Sequence, residues 1–217
     1  MATEVNAERW DKILDAALQV FATRGYERSS VNDIAEAAGL KKPSLYHYVQ
    51  SKEDLLEAII VRSHKRLTAF LDRIPPEDSA IEMVRAIIYT HVLFNINYGT
   101  EASVFQSDFR MLSPERQAPI RESLSEYDRS LQALIEEAQR RKEIGAEVDA
   151  KLAVLWLMGS ANHLVRWYRP KPGSNPEAVA AQFADLSASA LLGMGFEKDR
   201  NAAPSPLKDR DRTARSA

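Results

Sequence analysis

The 217 residues contain no cysteine, which excludes a disulfide framework, thiolate zinc sites and a cysteine nucleophile. No apolar run approaches the ~18–20 residues that a membrane-spanning helix requires. The opening stretch MATEVNAERW has no apolar core of the kind a secretory leader carries. The expectation is a soluble, cytoplasmic chain with no membrane partner. Strong net charge is also lacking, since 29 Lys and Arg against 31 Asp and Glu leave −2. Any contact with nucleic acid must then rest on local charge. The four histidines, His47, His64, His91 and His163, form no i,i+4 pair and no HExxH. A phosphate loop, a GxGxxG turn and a Gly-x-Ser-x-Gly elbow are missing too. No enzymatic activity, catalytic residue, metal or cofactor is expected.

What is present is helical periodicity, with no alternating strand pattern of useful length. Trp10, Ile13, Leu14, Ala17, Leu18 and Phe21 recur at three- and four-residue steps and stop at Gly25, a residue that tolerates the positive φ of a helix end. Ser30 and Asp33 have the spacing of a capping box that opens a short second helix, ending near Gly39. Pro43 fits the first turn of a third helix carrying Leu45, Tyr46 and Tyr48. Ser51 and Asp54 repeat the capping spacing before a fourth, longer helix that Pro75-Pro76 terminates. Longer helices are predicted over 79–97, 101–111, 114–142, 149–168 and 175–195, giving about nine in all. Residues 197–217 lack large apolar side chains and read as a disordered tail. The fold expected is all-α, with a three-helix domain over 1–50 and a larger helical domain over 51–196.

The stretch SSVNDIAEAAGLKKPSLYHYVQSKEDL has the plan of a helix-turn-helix, whose second helix lies in the major groove. Ala35 and Ala38 permit a close crossing, Gly39 makes the turn, and Leu45 can anchor the pair to Phe21. A plain three-helix bundle would share these features. The residues themselves resemble the DNA-binding domain of the TetR family: Phe21-Ala22 with Gly25-Tyr26, Val31-Asn32-Asp33-Ile34-Ala35, Gly39, Leu45-Tyr46, Tyr48, and Ser51-Lys52-Glu53-Asp54-Leu55. This resemblance spans roughly residues 9–56. It implies double-stranded operator DNA as a partner, with Lys42, Pro43, Ser44, Tyr46 and His47 at the exposed positions of the recognition helix. Lys42 suits guanine O6/N7 and Pro43 a thymine methyl, while Lys52 and Ser30 match phosphate contacts. Between Arg28 and Lys52 there are four basic and two acidic residues, so the balance is locally positive.

The resemblance further implies a homodimer built on the last two long helices and a small-molecule effector bound behind the DNA-binding head. Leu152, Leu155, Trp156, Gly159 and His163 follow one helical stripe, and Val179, Phe183, Leu186, Ala190 and Leu191 another; intramolecular packing would produce the same stripes. Gly159, Ser160, Ala161, Ser187 and Ala188 are small enough for close helix approach. His91, Asn95, Phe105, Phe109 and Tyr127 offer the mixture of aromatic and polar groups that an effector cavity needs. Val165-Arg166-Trp167-Tyr168-Arg169-Pro170 resembles the end of the penultimate helix in the branch of the family that senses acyl-CoA thioesters. There Arg166 could hold phosphate and Trp167 could stack on adenine; the alternative for this segment is a helix end favoured by the dipole. The competing function is a helical ligand-binding or adaptor protein without DNA binding. If Lys42 reads a base, replacing it with Ala should cost about 1–3 kcal/mol of operator affinity and relax selectivity at one base position, measured across a set of single-base operator variants.

Overall fold

The structure is a computed structural model that describes residues 2–193, with side chains from residue 7 onward. The tail expected over 197–217 lies outside the described residues. Among the described residues there are nine α-helices, one 3₁₀ turn and no strand, as the periodicity predicts. No described helix is long and apolar enough to cross a membrane.

Helix α1 (Ala2–Arg24) buries Ile13, Leu14, Ala17, Leu18 and Phe21 and ends at Gly25, which has φ +79°. Helix α2 (Val31–Ala37) opens with a complete capping box. The Ser30 hydroxyl accepts the Asp33 N–H at 3.2 Å, and the Asp33 carboxylate accepts the Ser30 N–H at 2.8 Å. Arg24 bonds that carboxylate at 2.6 Å and ties α1 to α2. The far end of α2 closes when the Gly39 N–H bonds the Glu36 carbonyl and the Leu40 N–H bonds the Ala35 carbonyl. Gly39, at φ +66°, supplies the left-handed residue that this pairing needs.

Helix α3 is a single turn, Lys42–Leu45, shorter than the sequence suggests. Tyr46, His47 and Tyr48 continue it as successive turns, and the Tyr48 and Val49 N–H groups both bond the Leu45 carbonyl. The physical reason is the need to bury Val49 and still present Ser51 in the extended conformation of an N-cap. Helix α4 (Lys52–Leu71) follows, with Ser51 and Asp54 forming a second complete capping box.

The remaining helices are α5 (Ala80–Asn97), α6 (Gly99–Asp108), α7 (Pro114–Arg140), α8 (Ala150–Trp167) and α9 (Pro176–Gly193). The expected helix over 101–111 is instead α6 followed by a 3₁₀ turn, Phe109–Met111. Two apolar cores result. One joins α1, α2, α3 and the first half of α4 to Val104, Leu112 and Ile120. The other surrounds α5 with α7, α8 and α9.

Arg116, in the first turn of α7, grips the start of α4. It lies 2.6 Å from Asp54, 2.6 Å from Glu57 and 3.7 Å from Glu53. Burial pushes the Asp54 carboxyl up, but hydrogen bonds from Arg116, the Gln50 N–H and Ser51 outweigh it and hold it below the usual carboxylate range. The Ser113 N–H, 2.6 Å from Glu53, holds that carboxyl down as well. Their contribution to stability is therefore full above the unfolded values of 3.8 and 4.5 and is lost as pH falls through the lower folded values. Arg116→Met should accordingly lower the thermal midpoint clearly above about pH 5, and the gap between the two melting temperatures should shrink as pH falls below the unfolded values.

Candidate DNA-reading head and effector cavity

The short turn of α3 is held from beneath by Leu45, which is fully buried among the residues around Phe21. This leaves Lys41, Lys42, Pro43, Tyr46 and His47 exposed on one side, with Ser44 half-buried. The Lys42 ammonium lies 6.0 Å from the centre of the Tyr46 ring. Tyr48 turns inward and stacks on Trp10, with ring centres 6.5 Å apart. The head thus offers a convex patch with two adjacent lysines, a proline and two rings that can meet base edges or phosphates. The Ser30 hydroxyl is exposed but donates to Asp33 at 2.7 Å, so a phosphate would have to compete with the cap.

Lys52 is placed differently from its expected use. Its ammonium donates to the carbonyls of Tyr26 at 2.6 Å, Ser29 at 2.9 Å and Glu27 at 3.4 Å. It also sits 4.2 Å from the centre of the Tyr26 ring. All three N–H donors are engaged with the loop between α1 and α2. In this structure Lys52 fastens that loop to the start of α4.

Behind the head lies a cavity of about 280 Å³, walled by α4, α5, α6, α7 and α8. Its apolar wall is Leu67, Phe94, Phe105, Phe109, Leu124 and Met158. Its polar groups include Ser63, His64, His91, Asn95, Tyr127 and Asn162, with Gln106, Arg110 and Asp128 also on the lining. The His91 ring is buried between the Asn162 side-chain oxygen, 2.8 Å from Nε2, and the Tyr127 hydroxyl, 3.3 Å from Nδ1. The network closes if Nε2–H donates to Asn162 and Nδ1 accepts from Tyr127, an assignment made from hydrogen bonding. Burial pushes the His91 pKa down, against a smaller upward pull from Asn162, and so favours the neutral ring. His64 is likewise pushed down by burial; its Nε2 lies 2.7 Å from the Ser123 hydroxyl. Its Nδ1 is sealed from solvent and has no hydrogen-bond partner among the described residues. Burial also raises the Asp128 carboxyl. The cavity thus combines an aromatic and aliphatic wall with hydrogen-bonded polar groups, and Arg110 and Asp128 also lie on its lining.

Two family profiles match the chain. One, described as "Bacterial regulatory proteins, tetR family", spans residues 13–59. The other, "Tetracyclin repressor-like, C-terminal domain", spans residues 77–191, more than half of the chain. The protein belongs to the TetR family. Members are transcriptional regulators that bind operator DNA, not enzymes. The HTH-type transcriptional repressor KstR2 of Rhodococcus jostii is 26% identical over 194 residues, covering 85% of this chain and 91% of that protein. The fatty acid metabolism regulator protein of Bacillus subtilis is 28% identical over 161 residues, covering 72% of this chain and 81% of its own length. The crystal structure of AibR in complex with isovaleryl coenzyme A and operator DNA superposes with a TM-score of 0.73 at 24% identity, covering 85% of this chain and 98% of that one. At that identity the likeness is one of fold.

With the TetR fold in place, the predicted effector residues separate into two groups. His91, Asn95, Phe105, Phe109 and Tyr127 all line the one cavity. Arg166 and Trp167 do not. They occupy the last turn of α8 on the outside, where Trp167 is 56% exposed and stacks on Phe183 with ring centres 6.4 Å apart. Arg166 lines a second groove with Ser103, Gln106, Ser107, Val165 and Arg169. The reason is helical phase: Leu164 and Val165 take the inward positions of that turn.

Ser63, His64 and Asn162 are cavity residues that the sequence reading did not assign. A signal existed in polar side chains on otherwise inward-facing positions of α4 and α8, but polar residues on such faces are often simply satisfied core. The stripes on α8 and α9 also divide. Leu152 at 63%, Leu155 at 58% and Leu186 at 63% exposure face outward, as does Trp156, whereas Leu191, Ser187 and Ala188 are buried among the residues around α5. Lys52→Met should destabilise the protein by about 1.5–3 kcal/mol, the range for hydrogen bonds to a charged group. The salt slope of DNA binding by the folded variant should be unchanged, and a slope reduced by about one unit would return Lys52 to the phosphate role.

Proposed function

We propose that this chain is a homodimeric repressor that holds a palindromic operator with two heads and releases it when a small molecule fills the cavity behind α4. The observation that carries this reading is that α4 belongs to both parts. Leu55, Leu56, Ile59 and Ile60 sit in the core of the head, and Ser63, His64 and Leu67 line the cavity. A ligand that displaces one half of this rigid helix displaces the other. Reading two half-sites requires the recognition helices to sit about 34–36 Å apart, one DNA turn. A small tilt of α4 in each subunit is enough to spoil that spacing, provided the ligand prefers the tilted state.

Lys42, Pro43, Ser44, Tyr46 and His47 are the proposed reading surface, with Ser30 at the phosphate backbone. The homodimer is supported by the outward stripe of Leu152, Leu155, Trp156 and Leu186, an apolar face on two neighbouring helices. A second copy covers it by a two-fold, self-complementary contact.

For the effector, the class that fits is an acyl-CoA thioester. The inner cavity and the outer groove that holds Arg166 and Arg169 have Gln106 in common. One ligand with an apolar acyl end and a phosphate-bearing arm can occupy both, which gives Arg166 a place in the groove outside the cavity, while Trp167 lies outside both linings. The AibR complex contains such a thioester together with DNA, and the name of the Bacillus subtilis relative points to fatty acid metabolism.

Fluorescence anisotropy against DNA from the chain's own upstream intergenic region, or against sites selected from a random library, tests all of this. Salt-sensitive, palindrome-dependent binding that a short or medium acyl-CoA abolishes is expected. Arg166→Ala should weaken the thioester effect without changing operator affinity. Operator binding indifferent to every thioester would remove this effector class, and an empty selection would favour the adaptor function.

A further inference from the structure

One guanidinium joins the head to the effector body. Arg62, on α4, lies 2.9 Å from Asp15 on α1 through Nη1 and 3.1 Å from Glu101 on α6 through Nη2. Glu101 is buried in the first turn of α6, and its Oε1 also accepts from Arg66 at 2.7 Å. The Arg66 guanidinium sits 4.8 Å from the centre of the Tyr98 ring, and Tyr98 packs against Phe94, a wall of the effector cavity. On the α6 side, Ala102, Phe105 and Gln106 line the same cavity within the two turns after Glu101. A continuous set of contacts therefore runs from the cavity through Phe94, Tyr98, Arg66, Glu101 and Arg62 to Asp15 in the DNA-reading head.

The network is incompletely bonded in this arrangement. Nε and Nη2 of Arg62 and Oε2 of Glu101 are sealed from solvent without a hydrogen-bond partner among the described residues. Arg62 and Glu101 are close enough to attract one another, but Nη2 is off the line of a hydrogen bond. A buried charge pair with unused donors and an unused acceptor favours any small shift of α6 along α4 that engages them. Such a pair suits an element with two discrete positions rather than a fixed brace, since packed interfaces switch between arrangements instead of deforming continuously.

We infer that Arg62 and Glu101 form a latch that transmits the position of α6 to α1, acting as positioning residues that touch neither DNA nor effector. This inference rests on the proposed two-site reading, but its test uses operator DNA as the only probe. Coupling is reciprocal, so DNA bound at the head must alter α6 if effector at α6 alters the head.

The experiment is hydrogen exchange of the full chain with and without operator duplex, in wild type, Glu101→Gln and Arg62→Met/Glu101→Met. In wild type, operator binding should change the exchange rates of amides in α6 by about fivefold or more, the low end of ordinary coupling. Glu101→Gln should still bind operator within a fewfold of wild type but show no such response in α6. The double variant replaces the pair by apolar side chains, which commonly preserves stability; it should melt near wild type and also lack the response. It reads the latch even if Glu101→Gln alone, which removes the carboxylate shared by Arg62 and Arg66, fails to fold. A wild-type α6 that ignores operator, or a folded variant whose α6 responds like wild type, would overturn the latch. Failure of every small molecule to release DNA would instead strike the effector reading and leave these exchange data unaffected.

Discussion

The packing of α4 against both halves of the chain is the constraint on which the rest depends. A 20-residue helix is about 30 Å long, enough to span from the core of the head to the far wall of the cavity. Its first half cannot leave the head without exposing Leu55, Leu56, Ile59 and Ile60, all of which are completely buried. Its start is held by Ser51, Asp54, Arg116 and Lys52, four local devices acting on one helix end. The helix is therefore a stiff member, and motion at the cavity is delivered to the head as rotation or tilt rather than absorbed by fraying.

The cavity shows how polar groups are kept inside a helical body at tolerable cost. Burying a polar group unpaired costs about 1–3 kcal/mol, and most here are paired. His91 is clasped between Asn162 and Tyr127, and Asn95 donates to the Ala161 carbonyl at 3.1 Å. These bonds join α5 to α7 and α8, so the polar lining also holds the walls together. His64 Nδ1 is the open position in that set. A buried ion pair lies outside the cavity, between α1, α4 and α6, where Arg62 and Glu101 face one another.

Much of this architecture was legible beforehand. Both capping boxes, the stop at Gly25 and the turn at Gly39 are local chemistry, decided by a few neighbouring side chains and the conformations they permit. Helix spans in the second half followed from apolar spacing and from the breaks supplied by proline and glycine. Helices α3 and α6 came out shorter than their apparent patterns, because burial of Val49 and the 3₁₀ turn at Phe109–Met111 answer to tertiary packing. Five of the seven proposed effector residues line one cavity, contributed by α5, α6, the 3₁₀ turn and α7, since aromatic and polar side chains on inward faces converge when helices pack. Arg166 and Trp167 lie one helical phase away and face outward.

What the sequence by itself determined is the all-helical character, the order and approximate ends of the helices, and the helix-turn-helix with its exposed lysine, proline and aromatic positions. These depend on interactions within a few residues, where periodicity, capping and glycine geometry act. Only the tertiary structure decided that Lys52 binds three carbonyls of the α1–α2 loop, that Leu191 is core while Leu186 is surface, and that Arg62 meets Glu101. Each of those outcomes joins groups from different helices. A lysine, a leucine or an arginine carries the same local preferences whether its partner is water, a phosphate or another helix, and only the packing of the chain supplies the partner.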